Sequence, residues 1–115
     1  MIVVAVDGRF DARQLNRIAR RAVFAMGRVG CDYAGGSGDY AVAFSTAPAD
    51  VPFLPEPDLE PVFGAVLEAV EEALLNSLLM AETTTGYRGH TKYAVPHDRL
   101  LDLLRAYRVE LAPRR

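Results

Sequence analysis

Residues 2–6 read Ile-Val-Val-Ala-Val, an apolar run that is mostly β-branched and closes at Asp7-Gly8. A strand that is apolar at every position has no side to give to water, so the run predicts a strand covered on both faces. The chain thus enters its own core almost at its first residue. With 115 residues, half of them apolar, it has the size of one domain and enough apolar surface for a core. The expectation is a single domain over residues 1–115.

The next segments supply layers for that strand. Asp11 and Gln14 have the spacing of a capping pair. Leu15, Ile18, Ala22, Met26 and Val29 then recur every three or four residues, an amphipathic helix stopped at Gly30. After Gly35-Gly36-Ser37-Gly38, residues 39–45 alternate Tyr40, Val42 and Phe44 with Ala41, Ala43 and Ser45, which predicts a second strand whose small-residue face packs closely against another element and whose Val42 is buried, so that Asp there would prevent folding. Four prolines in residues 48–57 make an extended loop. Asp58 then caps a helix over residues 62–80 whose apolar positions nearly encircle the axis, predicting burial on most of its circumference. Thr83-Thr84-Thr85-Gly86 ends that helix, residues 92–95 form a short strand, and Pro96-His97-Asp98 opens a last helix with Leu100, Leu101, Leu103, Leu104 and Tyr107 turned inward.

Two or three strands beside three helices leave a sheet too small to cover a doubly buried strand. The sequence therefore asks for a missing layer, from a second copy or from another polypeptide.

Net charge is −2, which points to neither a nucleic-acid nor a membrane partner, but its distribution is uneven. Residues 1–30 hold six Arg against two acids, whereas residues 50–82 hold eight acids and no base. Oppositely charged segments of one small domain predict internal ion pairs before they predict an external ligand. Cys31 is the lone cysteine, which excludes an intrachain disulfide and a cysteine-rich metal site and fits a reducing, cytoplasmic setting.

Few residues carry chemistry. His90 and His97 have no acidic partner at ligand spacing, so neither a metal nor another cofactor is expected. Ser45 and Thr46 lack the context of a nucleophile elbow, and Cys31 lacks a cationic neighbour. The stretch Gly35-Gly36-Ser37-Gly38-Asp39 stands out. Its glycines permit close approach and positive φ, and an extended backbone there puts the Ser37 hydroxyl and Asp39 carboxylate on one side, where they can orient a proton. By itself such a cluster also describes an ordinary turn.

In order and at matching separation, "QLNRIARRA", "GSGDYAVAFSTA", "EALLNSLLMAETTTGYRGH" and "AVPHDRLLDLLRAY" resemble the C-terminal part of the L-aminopeptidase/D-esterase family. These are the DmpA-like N-terminal-nucleophile hydrolases, which include β-aminopeptidases. The resemblance implies an α/β fold, the β-chain half of an αββα sandwich, from a precursor that cleaves itself ahead of a Ser. That new terminal Ser attacks the carbonyl of a peptide, amide or ester. Ser37 and Asp39 match the family's second Ser and its acid, which bind and activate the nucleophile.

The match has one departure: family β chains begin with Ser just ahead of the Ile/Val run, whereas Met1 stands here and no Ser or Thr precedes Ser37. The resemblance therefore implies a chain inactive alone, whose partner is an α chain or the upstream region of the same precursor, in a homo-oligomer. The competing expectation is a non-catalytic scaffold domain that keeps the fold and pairs through its sheet.

Overall fold

The computed structural model describes residues 1–109. These fall into two compact units, whose boundary lies between Leu75 and Asn76.

In the first unit, strand β1 (Ile2–Val6) leads through helix α1 (Ala12–Arg28) to strand β2 (Ala41–Ser45), and the strands pair in parallel with Ile2 opposite Ala41 and Val6 opposite Ser45. A parallel pair needs a crossover, and α1 provides it. The helix starts where the sequence predicts: an Asp11 carboxylate oxygen accepts from the Gln14 N–H at 2.7 Å, and Gln14 Oε1 accepts from the Asp11 N–H at 2.9 Å. Gln14 Nε2 also donates to the carbonyl of Leu54 at 3.0 Å, so this buried side chain holds the Pro-rich loop against the start of α1. Gly8 sits in the same corner, where an added Cβ would come within 2.5 Å of Leu54 Cδ1 and 2.8 Å of the Phe10 ring. Gly30, with φ +95°, ends the stretch after α1, as expected of a left-handed glycine beyond a helix.

A one-turn 3-10 segment, Glu56–Asp58, precedes helix α2 (Leu59–Leu79). The core consists of Phe10, Ile18, Ala22 and Ala25 with Leu59, Phe63, Val66 and Val70 of α2, and Ile2, Val4, Ala41 and Ala43 pack beneath it. The small-residue face of β2 is therefore the one α1 covers, as its alternation predicts. The charged segments also meet: Arg13 and Arg17 pair with Glu56, and Arg28 pairs with Glu71 at 2.9 Å.

Three expectations fail on the same ground. β1 is covered on one face only, because Ile2, Val4 and Val6 are half-buried while Val3 and Ala5 are exposed. On β2 the large residues Val42 and Phe44 face away from the helices and are 50% and 45% exposed. Within the first unit, α2 buries the stripe Leu59, Phe63, Val66 and Val70 but leaves Ala65, Ala69 and Ala73 open. Apolarity in the sequence marks surfaces that can be buried, and only part of them is buried here.

The second unit contains β3 (Thr84–Thr85), paired antiparallel with β4 (Thr91–Lys92), and helix α3 (His97–Ala106). Thr84 and Thr85 are thus a strand, and the later strand occupies Thr91–Lys92, before the predicted 92–95. The Thr85 and Thr91 hydroxyls, 2.8 Å apart, hydrogen-bond across the pair. α3 opens at His97, whose Nε2 hydrogen-bonds the Leu79 carbonyl at 2.9 Å, but Leu103 and Tyr107 are exposed where the sequence turned them inward. Among the described residues no helix is long and apolar enough to cross a membrane.

Candidate functional site

The loop between α1 and β2 is shaped by local hydrogen bonds. Tyr33, at φ 52°, is pinned to α1 by its hydroxyl, which donates to the Val23 carbonyl at 2.6 Å and accepts from the Gly27 N–H at 3.0 Å. Asp32 Oδ1 accepts from the Ala34 N–H at 3.2 Å, and the Ser37 N–H donates to the Ala34 carbonyl at 2.8 Å. That last bond closes a four-residue turn through Gly35 and Gly36. Ser37 follows it, and its hydroxyl donates to Asp39 Oδ2. The two residues singled out from sequence are therefore in contact, Ser37 exposed and Asp39 half-buried.

The reason they meet differs from the expected one. β2 begins only at Ala41, so a turn and a side-chain hydrogen bond, not strand alternation, bring them together. Gly35, Gly36 and Gly38 do not adopt positive φ; an added Cβ at each would find no neighbour within 4 Å. Neither their backbone conformation nor crowding explains why these three positions are glycine. Sequence reasoning missed Tyr33, whose anchoring role depends on a backbone conformation that no local pattern announces.

The parallel register places this pair relative to β1. The Ile2 N–H donates to the Tyr40 carbonyl at 3.0 Å, so the head of β1 enters the sheet one residue beyond Asp39. Chemically, the arrangement can accept a hydroxyl. Ser37 commits its only O–H to Asp39, which leaves its oxygen lone pairs to accept a hydrogen bond from a donor arriving beside it.

The other candidates have structural partners. Ser45 Oγ donates to the Gly8 carbonyl at 2.7 Å, and Thr46 Oγ1 donates to the Val6 carbonyl at 3.1 Å, so both fasten the far ends of the strands. Cys31 is half-buried, and its N–H closes onto the Met26 carbonyl at the end of α1. Among the described residues no three His, Cys, Asp or Glu side chains are grouped to hold a metal.

The chain belongs to peptidase family S58, whose family model matches residues 1–92. It is 40% identical over 118 residues to the β-peptidyl aminopeptidase BapA of Sphingosinicella microcystinivorans, covering 94% of this chain and 30% of that protein. It is 36% identical to BapA of Sphingosinicella xenopeptidilytica, covering 92% and 29%. Among solved structures it resembles the PH0078 protein of Pyrococcus horikoshii OT3 (43% identity, TM-score 0.79, 91% of this chain and 32% of that one). It also resembles the L-aminopeptidase D-Ala-esterase/amidase of Ochrobactrum anthropi, described as a prototype serine aminopeptidase with a variant of the Ntn hydrolase fold (36% identity, TM-score 0.77, 91% and 32%). The chain thus spans about 30% of the length of the curated relatives it matches.

Proposed function

We propose that this chain is the β-chain part of a serine aminopeptidase that removes N-terminal residues from peptides, amides or esters, and that Ser37 and Asp39 serve its nucleophile. The observation that carries this reading is the hydrogen bond from Ser37 to Asp39 at the head of the β1–β2 pair, where a residue ahead of Ile2 reaches the same corner.

In this reading the nucleophile is a serine at the free end of the strand that continues into β1, exposed when the precursor cleaves itself. Its own α-amine takes the hydroxyl proton, as in sites that pair a terminal Thr with its amine. Ser37 Oγ accepts a hydrogen bond from an N–H of that amine, which turns the amine lone pair towards the hydroxyl and so directs it, and Asp39 fixes the Ser37 rotamer and favours positive charge at the amine. The oxygen attacks the substrate carbonyl, the C–N or C–O bond breaks and the leaving amine or alcohol departs with the proton held by the α-amine, and water then hydrolyses the acyl-serine in a second step. Donors for the developing oxyanion and the walls of the substrate pocket come from the larger part of the precursor, which also covers the sheet face of Val3, Val42 and Phe44. The lone Cys31 accords with a cytoplasmic setting.

The test is a chimaera in which this chain replaces the matching stretch of the Sphingosinicella microcystinivorans BapA. The reading expects self-cleavage and release of the N-terminal residue from a short β-peptide. A folded chimaera that neither cleaves itself nor hydrolyses any peptide, amide or ester overturns it.

A further inference from the structure

Between α1 and β2, the backbone that carries Ser37 and Asp39 has little of the protein to lean on. Among the described residues, the hydrophobic core draws nothing from residues 30–40. A Cβ added at Gly35, Gly36 or Gly38 meets no atom within 4 Å. Glycine-rich backbone without packing contacts keeps much of its conformational freedom. Order at the Ser37–Asp39 pair therefore has to come from the two ends of the segment.

The far end is fixed by the sheet, where the Ile2 N–H donates to the Tyr40 carbonyl. The near end is fixed by Tyr33. Its hydroxyl accepts from the Gly27 N–H at 3.0 Å and donates to the Val23 carbonyl at 2.6 Å. These two groups stand four residues apart, the donor and acceptor that one turn of α-helix pairs with each other. The phenol thus grips the end of α1 by its backbone. To do so Tyr33 takes φ 52°, a left-handed conformation that costs free energy at a residue with a Cβ. The residue is 43% exposed, so its two hydrogen bonds, more than burial, keep it there. From Tyr33 a short series of bonds leads to the pair. Asp32 Oδ1 accepts from the Ala34 N–H, the Ala34 carbonyl accepts from the Ser37 N–H, and the Ser37 hydroxyl donates to Asp39.

We infer that Tyr33 is a positioning residue for the hydrolytic reaction: it touches no reacting atom, but it holds the turn that sets Ser37 and Asp39 against the nucleophile. The inference rests on the hydrolase reading of the site. Gly27 belongs to the same arrangement, because a Cβ there would stand 3.3 Å from the Tyr33 hydroxyl oxygen and crowd the ring.

Tyr33→Phe tests this with the loss of one oxygen. The Gly27 N–H and Val23 carbonyl still have each other as helical partners, so the melting temperature of the chain holds. In the chain itself, the backbone order parameters of Ser37 and Asp39 fall from about 0.85 to below about 0.6, while that of Ile18 in α1 stays put. In the BapA chimaera, kcat for a short β-peptide falls by about 10–100-fold and KM changes less than about 3-fold, the pattern of a displaced group that acts in the transition state. Gly27→Ala lowers kcat in the same direction without lowering the melting temperature, since Ala favours the helix. Unchanged order at Ser37 and Asp39 in Tyr33→Phe overturns the inference. A loss carried by KM alone, or one accompanied by a lower melting temperature, also overturns it. An active chimaera indifferent to Tyr33→Phe removes the positioning role and leaves the hydrolase reading standing, whereas a folded chimaera that is inactive with Tyr33 in place removes both.

Discussion

The N–H of Ile2 donates to the carbonyl of Tyr40 at 3.0 Å, which sets the start of β1 beside the residue that follows Asp39. In the proposed reading, a group attached ahead of Ile2 is directed towards the Ser37–Asp39 pair. Asp39 fixes the Ser37 hydroxyl through a charge-assisted bond. Asp39→Asn keeps an oxygen acceptor but loses the charge, so kcat of the assembled enzyme falls roughly 100-fold, as for other proton-orienting groups. The melting temperature of the chain alone moves little, since Ser37 is exposed and Asp39 only half-buried.

Val42 tests the uncovered face of the sheet. From its alternation with small residues it reads as a core position, where Asp would leave a buried, unpaired charge and prevent folding. In the structure it is 50% exposed and the small residues take the core side. Val42→Asp therefore changes the stability of the isolated chain by no more than about 0.5 kcal/mol, as at an ordinary surface position. In the BapA chimaera, where that face is covered, the same substitution prevents assembly. Urea titration of the first and gel filtration of the second read the two outcomes.

Gly8 tests close packing where the Pro-rich loop meets α1. A methyl group there meets Leu54 and Phe10 at distances no real Cβ tolerates. Gly8→Ala is expected to destabilise by about 1–3 kcal/mol, the range of overpacked sites. Chemical denaturation of the isolated chain measures it.

Gln14 shows how one polar side chain can join three segments. It caps α1 and reaches the Leu54 carbonyl while almost wholly buried. Gln14→Ala leaves a buried carbonyl without its donor, a loss of about 1–3 kcal/mol. Faster exchange of the Asp11 amide distinguishes this from a general loss of packing.

Glu56 links the acidic loop to the basic helix. Its hydrogen bond from Arg13, with a second from Arg17, holds its carboxyl below the ordinary carboxylate range. A carboxyl depressed in the folded state contributes stability above its unfolded value near ~4.3, and that contribution is lost as pH falls through the lower folded value. The wild-type chain should melt slightly above Glu56→Gln at neutral pH, with the gap closing in acid below about pH 4 and shrinking in high salt. A gap that widens in acid contradicts the assignment.

Local patterns in the sequence were legible where one segment decides the outcome. The Asp11–Gln14 cap, the stripe of α1 and the stop at Gly30 all depend on spacing within a few residues, and so does the Ser37–Asp39 contact, although a turn and not an extended strand makes it. What misled was burial. Val3, Val42, Phe44, Leu103 and the alanine face of α2 are apolar yet exposed, and a local apolar pattern does not say whether its surface is covered. Tyr33 was invisible for a different reason, since its role comes from a left-handed backbone and two hydrogen bonds back to α1.

Turnover by the BapA chimaera carrying Ser37→Ala tests the central assignment most directly. If Ser37 directs the attacking hydroxyl, hydrolysis of a short β-peptide falls by about 1,000-fold or more, while assembly persists and stability changes by less than about 0.5 kcal/mol. Undiminished hydrolysis by an assembled Ser37→Ala chimaera would contradict the account.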